Sequence, residues 1–391
     1  MTNKPLEGIR VADFSWWLAG PYCSMLLAMA GADVVRIESS RRLEPGRANP
    51  GFNNVNLNKR AIRLNLTCPE GLAIARSLVQ VSDVVVENFS PGTMERFGLG
   101  YKELSRLKPD LVMVSISAMG QEGPEGNYTG FGGNFSALSG IGYLTSYIDG
   151  IPTEVRMPMD TATGTSACLA VLAALQHRAT TGEGQYIDLS AQEAVISVIG
   201  DIFLDYPLNQ REPTPMGNGH PTMSPHGVYP CREEDSWITI AVGEEAEWQN
   251  LCRSMNRPDL LDDVRFKDAV SRWQHREELD ALLAGWTPSF TDIELMALLQ
   301  EAGVAAMPSF NNKELYEDRH LKERRLYQEV RPPELDRPFT VLGPPFMLTG
   351  TPLEVCSAAP SLGQHNEEVF CDLLGLAPEE MERLVKEQVV F

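Results

Sequence analysis

The sequence predicts an α/β fold with a parallel sheet, in a chain of two domains. Short apolar runs alternate with helical patterns over the first 120 residues. This order is typical of βαβ units, whose parallel sheet is covered by helices on both faces. The 391 residues also exceed what one hydrophobic core usually supports. Two Pro-rich stretches, at 207–230 and 331–345, are predicted to be linkers.

The predicted elements follow in chain order. The first strand is the apolar run Ile9–Phe14, and the first helix is Gly20–Ala30, which Gly31 ends. The stretch Gly120–Gly150 is rich in Gly, Ser and Asn and is predicted to be a loop. The other predicted elements are strands Ala32–Ile37, Asp83–Glu87, Leu111–Ile116, Gln185–Leu189 and Ala305–Phe310, and helices from Pro69 to Gln80, Tyr101–Leu107, Thr163–Ala179 and between Asn366 and Val389.

Composition excludes several classes of protein. The net charge of −20 argues against nucleic acid or an anionic membrane as the main partner, because both are polyanions. No apolar run reaches the roughly 18 residues of a membrane span, and Met1–Arg10 lacks the apolar core of a secretory signal. The seven cysteines form no C-x-x-C pair, so we expect reduced thiols and a cytoplasmic protein.

Motifs for metals and common cofactors are missing. The six histidines show no paired ligand spacing, so no metal site is expected. The turn after the first strand, Ser15–Pro21, lacks the G-x-G-x-x-G fingerprint, which disfavours NAD or FAD. A helix N-terminus at this turn could still meet an anion. No G-x-S-x-G motif indicates a serine hydrolase.

Basic residues are concentrated between Arg36 and Arg63. Seven of them are opposed there only by Glu38 and Glu44, although the whole chain is acidic. One interpretation is a solvated basic loop. The other is a site for a polyphosphorylated ligand such as CoA, since Arg and Lys bind phosphate.

Two further features have two interpretations each. Asp160 precedes a long apolar helix, where an aspartate is either an N-cap or a nucleophile near helix N–H groups. Gly217–Gly219 could supply backbone N–H donors to an oxyanion or could be a flexible linker. The local sequence does not decide between the two interpretations of either feature.

Several segments together resemble the class III CoA-transferase family, which includes formyl-CoA transferase and carnitine CoA-transferase (CaiB/BaiF-like proteins). The similarity extends over nearly the whole chain, in matching order and spacing. The segments are Leu6–Val11, Asp13-Phe14, Ala19–Pro21, Gly31–Glu38, Asn58–Arg60, Leu64–Leu66, Glu87–Gly92 with Arg96 and Gly98, Thr181–Gln185, Gly227–Pro230 and Leu362–Asn366.

The resemblance implies a large Rossmann-like domain built from both chain ends, plus a smaller domain. The implied division is a large α/β CoA-binding domain at 1–206, a linker at 207–230, a small domain at 231–330, and a second linker with the C-terminal part of the large domain at 331–391. The resemblance further implies that two such subunits form an interlocked-ring homodimer. A heterodimer with a paralogous subunit is also known in the family.

The resemblance also implies the site residues. The catalytic aspartate falls on Asp160, which favours the nucleophile interpretation. The positions that correspond to CoA contacts are Leu18, Ala19, Leu64, Asn65, Thr67, Asn88, Phe89 and Arg96. Ser39 replaces an arginine that contacts CoA in the family, and the nearby Arg41 and Arg42 could substitute for it. No tightly bound cofactor is implied, because the CoA thioester is a substrate.

The implied reaction moves CoA from an acyl-CoA donor to a carboxylic acid acceptor through an aspartyl-CoA thioester. Leu18 and Gly133 stand where formyl-CoA transferase has a glutamine and an acidic residue, so formate and oxalate are poor candidates. We expect succinyl-CoA as the donor and a larger, aryl-substituted dicarboxylate as the acceptor. Five aromatic residues could line the acyl pocket or belong to the core: Trp16, Trp17, Tyr128, Phe131 and Phe135.

Two alternatives remain. An α-methylacyl-CoA racemase on the same fold needs an aspartate and a histidine as its two bases. The stretch Tyr128–Asn134, where that histidine is expected, contains none. The other alternative is a partner subunit of a hetero-oligomeric CoA-transferase, against which the presence of Asp160 argues.

Overall fold

The computed structural model describes residues 4–39, 41–155, 157–332 and 337–391. The chain forms two compact units. The first comprises Met1–Gly142, Glu154–Arg211 and Glu323–Phe391, so it contains both chain ends. The second comprises Tyr143–Thr153 and Glu212–Lys322.

The strands are β1 Arg10–Asp13, β2 Asp33–Glu38, β3 Arg60–Arg63, β4 Val84–Glu87, β5 Val112–Ser117, β6 Gln185–Ser190, β7 His226–Pro230, β8 Trp237–Ala241, β9 Ala305–Pro308, β10 Tyr327–Val330 and β11 Phe339–Leu342. The helices are α1 Ala19–Met29, α2 Pro69–Gln80, α3 Thr93–Arg96, α4 Tyr101–Leu107, α5 Gly132–Leu138, α6 Ile141–Leu144, α7 Met157–Thr181, α8 Ala191–Ile196, α9 Gly200–Asn209, α10 Glu245–Ser254, α11 Ala269–Gln274, α12 Arg276–Trp286, α13 Asp292–Glu301, α14 Asn312–Glu317, α15 Arg319–Glu323 and α16 Pro378–Lys386. Short 3-10 helices span Pro45–Ala48, Pro50–Val55, Ser197–Ile199, Pro258–Leu261 and Thr287–Ser289, and a π-helix spans Glu368–Leu373.

The first unit is built on a six-stranded parallel sheet of order β3-β2-β1-β4-β5-β6. This confirms the predicted α/β class and parallel sheet. The order is that of doubly wound nucleotide-binding folds, in which ligands bind at the carboxyl edge where the strand order reverses. Here that point lies between β1 and β4. The predicted domain boundaries stay a prediction.

Alternating residues of the strands face two separate cores. One core joins the sheet to α1 and α7, and the other joins it to α2, α4 and the C-terminal helices. For example, Val11 faces the first core and Ala12 the second, and both are fully buried. Because both faces are covered, β1, β2, β4 and β5 appear in the sequence as mostly apolar runs.

The C-terminal segment protects the exposed edge of β3. The Nδ1 of His365 accepts the N–H of Ala61 at 3.1 Å, and the Oδ1 of Asn366 accepts the N–H of Arg63 at 2.9 Å. Leu64 and Val390 form an antiparallel bridge beside them. An uncovered edge strand invites pairing with other chains. The segment Leu362–Asn366 therefore has a structural role here.

The second unit has its own core. An antiparallel sheet of order β7-β8-β9 packs with helices α10, α12 and α13. Trp248 and Phe266 are fully buried there, with ring centroids 6.2 Å apart.

One prediction about local structure was wrong, because the predicted loop Gly120–Gly150 contains α5 and α6. The stretches 207–230 and 331–345, predicted to be linkers, contain β7 and β11. Glycine and proline indicated loops, but local capping offsets the low propensity of glycine: the side chain of Asn134 accepts the N–H of Phe131 at 2.9 Å at the start of α5. No helix in the described ranges is long and apolar enough to cross a membrane.

Candidate active site

The loop after β1 is folded tightly at the point where the strand order reverses. Both the N–H and the hydroxyl of Ser15 donate to the buried carboxylate of Asp13. A Cβ atom on Gly20 would lie only 2.3 Å from the Cβ of Ser15. Only glycine therefore fits at this position, and α1 begins directly at the sheet edge.

Asn88 joins this loop to the loop after β4. Its Oδ1 accepts the N–H of Trp16 at 2.7 Å, and its Nδ2 donates to the Trp16 carbonyl at 2.8 Å. The neighbouring Phe89 is half-buried, and its ring lies edge-on to Trp16 with centroids 6.4 Å apart. Asn88 was predicted to contact CoA, and in the structure its amide organises the carboxyl edge.

Asp160 lies inside the first turn of α7, because this helix begins at Met157 and not at the predicted Thr163. The N-cap interpretation of Asp160 is therefore wrong. Pro158 is compatible with a first turn and marks the earlier start. One turn after Asp160, a Cβ atom on Gly164 would lie 2.5 Å from the carbonyl oxygen of Ala19. Because residues i and i+4 share a helix face, Asp160 is on the face of α7 that meets the start of α1.

Partial burial changes the acidity of Asp160. Desolvation raises the pKa of its carboxyl to about 6. At pH 7 the group is still mostly ionised, and it is poorly hydrated. A carboxylate in this state is available as a nucleophile, because little water must be removed before it reacts.

The first turn of α1 presents unused backbone donors beside this helix face. Among the described residues, the N–H groups of Ala19 and Gly20 have no acceptor outside their own helix. Pro21, the next residue, has no N–H to satisfy. Helix N-termini of this kind attract anions.

Most of the basic cluster forms internal ion pairs. Lys59 and Arg36 are fully buried, with Lys59 bonded to Asp13 at 3.1 Å and Arg36 paired with Glu44. Arg47 pairs with Glu38, and Arg60 with Asp33. These four basic residues therefore support the fold, and the cluster as a whole is not a phosphate site.

Burial lowers the pKa of Lys59 to about 8, although Asp13 opposes that change. Lys59 also donates to the Pro21 carbonyl at 2.9 Å and to the Asn56 side chain at 2.9 Å. Because Pro21 is in the first turn of α1, the buried network anchors the helix start that faces Asp160.

Three arginines that the sequence predicted as CoA contacts lie at the surface of the first unit. Arg41, Arg42 and Arg96 are exposed, and none forms an ion pair within the described part of the chain. The guanidinium of Arg42 lies 5.2 Å from the ring centroid of Trp16, and the Nη2 of Arg96 donates to Thr93 at 2.7 Å. Their charges are available to an anionic ligand.

The predicted CoA contacts after β3 are held differently. Leu64 is fully buried. The Oδ1 of Asn65 accepts the N–H of Thr67 at 3.0 Å and its hydroxyl at 2.6 Å. The Asn65 Nδ2 donates to the Gln388 carbonyl at 3.3 Å. These side chains fix a turn at the carboxyl edge of the sheet, and the backbone N–H groups of Leu64 and Asn65 donate to the carbonyls of Glu38 and Val389.

The structure thus brings most predicted site residues to one edge. Leu18, Ala19, Asn88 and Phe89 surround the point between β1 and β4, and Asp160 faces the same helix start. Gly217–Gly219 belongs to the second unit, where the N–H of Gly217 donates to Ser146 at 3.2 Å and that of Gly219 to Met216 at 3.0 Å. Those two groups are therefore not free oxyanion donors.

Glu87 is a titratable group at this edge that was not among the predicted site residues. Glu87 ends β4, is buried, and accepts the N–H of Phe89 at 2.8 Å. Desolvation raises the pKa of its carboxyl to about 7. The sequence could have indicated Glu87, because it is the carboxylate at the C-terminal end of the predicted strand Asp83–Glu87. Within the described ranges, no group of three or more His, Cys, Asp or Glu side chains could hold a metal ion.

Comparison with known proteins gives the family. The sequence pattern of CoA-transferase family III matches residues 6–366. The chain belongs to this family. It is 34% identical to the succinyl-CoA–D-citramalate CoA-transferase of Chloroflexus aurantiacus, over 99% of this chain and 98% of that protein. It is 36% identical to the succinyl-CoA:mesaconate CoA-transferase of Haloarcula marismortui, over 93% and 95% respectively.

The fold is also similar to that of a solved structure from the same family. A CaiB/BaiF family protein from Brucella suis superposes with a TM-score of 0.86 at 28% identity, covering 95% of this chain and 100% of that one. The predicted class III CoA-transferase resemblance is confirmed, and the protein is a transferase that acts on acyl-CoA.

Proposed function

We propose that this family III CoA-transferase moves CoA from succinyl-CoA to a dicarboxylic acid through an aspartyl-CoA thioester on Asp160. The observation that carries the proposal is the position of Asp160. It is a partly desolvated carboxylate on the helix face that meets the start of α1, at the ligand-binding edge of the sheet.

The first half-reaction loads CoA onto the protein. An oxygen of the Asp160 carboxylate attacks the donor thioester carbonyl, the C–S bond breaks, and a mixed anhydride and CoA thiolate form. The thiolate then attacks the aspartyl carbonyl of that anhydride. Succinate leaves with the bridging oxygen, and Asp160 carries CoA as a thioester.

The second half-reaction reverses these steps with the acceptor. The acceptor carboxylate attacks the aspartyl thioester carbonyl and expels CoA thiolate, which forms a second mixed anhydride. The thiolate attacks the acceptor carbonyl, and Asp160 leaves as a carboxylate. No net proton is consumed, so the site needs an ionised Asp160 and donors for the oxyanions.

The α1 N-terminus is suited to the oxyanion role. The N–H groups of Ala19 and Gly20 are unused and preoriented, and donors of this kind stabilise the negative charge that develops on a tetrahedral intermediate. Gly20 cannot be replaced without a clash, which keeps the backbone close to the ligand.

CoA binding is assigned to the same edge. The phosphates would meet Arg41, Arg42 and Arg96, whose charges are not used internally. Leu18, Ala19 and Phe89 would contact the rest of the CoA molecule. Asn88 would keep the loops after β1 and β4 together through its two hydrogen bonds to Trp16. Leu64, Asn65 and Thr67 would contribute through their turn.

The substrate proposal rests on the relatives. The names of the two relatives described above give succinyl-CoA as one substrate. The other substrate is D-citramalate in the first and mesaconate in the second, and both are five-carbon dicarboxylic acids. We therefore propose succinyl-CoA as the donor and a substituted dicarboxylate as the acceptor. We also propose a cytoplasmic interlocked homodimer with the domain division 1–206, 231–330 and 331–391. Native mass measurement would distinguish it from a heterodimer.

The experiment is chemical trapping of the loaded enzyme. Protein incubated with succinyl-CoA and no acceptor is treated with hydroxylamine, which attacks thioesters and anhydrides but not a resting carboxylate. Peptide mass spectrometry should place a hydroxamate on Asp160 and none on Asp149 or Asp188. Asp160→Asn should abolish both transfer and trapping while retaining the fold. Deuterium exchange into the α-carbon of 2-methylacyl-CoA without trapping would instead indicate a racemase.

A further inference from the structure

Two aromatic side chains in the first unit are exposed to solvent. Trp17 is 49% exposed and Phe131 is 68% exposed. Their rings meet edge to face, with centroids 6.2 Å apart and planes at 78°. Phe135, from the same group of predicted aromatics, is buried in the core. Core packing therefore accounts for Phe135 but not for Trp17 and Phe131.

Trp17 is held in an unusual backbone conformation. Its φ of +62° lies in the left-handed region that a bulky residue rarely adopts. The N–H of Trp17 donates to the Oε1 of Glu44 at 2.9 Å, and Glu44 is buried and paired with Arg36. The buried ion network thus maintains a strained residue whose large apolar ring faces solvent. Strain of this kind is concentrated at functional sites.

Both rings are connected to the end of α7 that carries Asp160. Phe131 directly precedes α5, whose Phe135 packs in one cluster with Met159, the residue before Asp160. Trp17 is two residues before Ala19, whose carbonyl approaches Gly164 one turn after Asp160. Each ring is therefore carried by a segment that contacts the first turns of α7, one through Phe135 and the other through Ala19.

We infer that Trp17 and Phe131 form an apolar wall of the acyl subsite that selects acids carrying an alkyl or aryl substituent. The inference rests on the proposed function, because the acid must reach Asp160. The two rings offer apolar surface to a hydrocarbon group and almost no hydrogen bonds to a small polar acid. One methylene in an apolar pocket changes kcat/KM by about 10- to 200-fold. Because this pair is half open, we expect about tenfold for a methyl group.

The test uses acceptor acids that differ in their substituent. Succinyl-CoA is the donor, and glutarate, methylsuccinate and phenylsuccinate are the acceptors. Glutarate and methylsuccinate are isomers, so their comparison tests a branched against a linear carbon chain at a constant number of carbon atoms. Phe131→Ala and Trp17→Leu should each lower the ratio of kcat/KM for phenylsuccinate over glutarate by about tenfold or more. The control is Phe346→Ala, since Phe346 is also 49% exposed in the first unit, and its ratio should match the wild type.

The outcomes separate the inference from the function on which it rests. An unchanged ratio in both variants, with transfer intact, would overturn the inference alone. An altered oligomeric mass with an unchanged ratio would also overturn it and would assign the rings to a subunit contact. If the wild-type protein transferred CoA to none of the acids, the proposed function itself would fall, and the inference with it.

Discussion

The close approach of α7 to α1 gives a sharp prediction about Gly164. In a Gly164→Ala variant, the new Cβ would lie 2.5 Å from the Ala19 carbonyl oxygen and 3.1 Å from the Tyr22 Cβ. An ordinary contact begins at 3.4 Å, so the helices must separate by about 0.9 Å. The movement would occur one turn from Asp160, between the proposed nucleophile and the proposed oxyanion donors.

Stability and activity should respond differently. Overpacking costs about 1–3 kcal/mol, while alanine in a helix gains about 1 kcal/mol over glycine. The net loss of unfolding free energy is therefore only about 0–2 kcal/mol. A misplacement of about 1 Å at a reacting group can lower the rate about 100-fold. We expect a folded protein with kcat/KM reduced by about two orders of magnitude.

The assay compares CoA transfer with thermal unfolding. Gly285→Ala in α12 is the matched control, because no atom lies within 4 Å of the position that the new Cβ would take, and the helix should only gain stability. If Gly164→Ala retained wild-type kcat/KM, the proposed placement of Asp160 against α1 would be refuted.

Three further predictions follow from the site. Lys59→Met removes the nearer of the two cations that balance the buried Asp13 and leaves only Arg36, at 4.0 Å. It should lower the unfolding free energy by about 3–5 kcal/mol in urea titrations. Arg257→Met, at an exposed pair, should change it by less than about 1 kcal/mol. Equal effects would contradict the assigned network. Arg96→Ala should raise the CoA dissociation constant by about 10- to 100-fold in calorimetry, because about 1.5–3 kcal/mol of binding free energy is lost. Arg106→Ala, at another exposed arginine, should leave the dissociation constant unchanged. Equal CoA affinities of the two variants would remove Arg96 from the site. The pKa of Asp160 is raised in the folded state, so its ionisation destabilises the fold as the pH rises from about 4 to about 6. Asp160→Asn should therefore stabilise the protein by about 1–3 kcal/mol at pH 7.5 and little at pH 4. A difference in melting temperature that does not depend on pH would argue against the burial of this carboxyl.

The sequence predicts the parallel sheet well because its strands are buried on both faces. Strands β1, β2, β4 and β5 appear as mostly apolar runs, and β6 as a strand whose residues alternate in exposure, all within a residue or two of their observed bounds. Strand β3 was missed, since its two apolar residues stand between Arg60 and Arg63 at the sheet edge. Its burial depends on the C-terminal segment, which is more than 300 residues away in sequence.

The site could be predicted only in outline. The aspartate, the arginines and the loop after β1 are visible as motifs, but their partners are not. Local charge counting could not show that Arg36 and Lys59 are buried with carboxylates, because Asp13 lies more than 20 residues from both. Nor could it show that Gly164 allows α7 to approach the Ala19 carbonyl. These contacts are set by tertiary packing.

The most direct test of the central claim follows oxygen through Asp160. When the acceptor carboxylate is labelled with 18O, its bridging oxygen remains on Asp160 each time the second anhydride is resolved. After many turnovers with succinyl-CoA, the peptide that contains Asp160 should carry two labelled oxygens, and the peptide that contains Asp188 none. An active enzyme whose Asp160 stayed unlabelled would contradict covalent transfer through this residue.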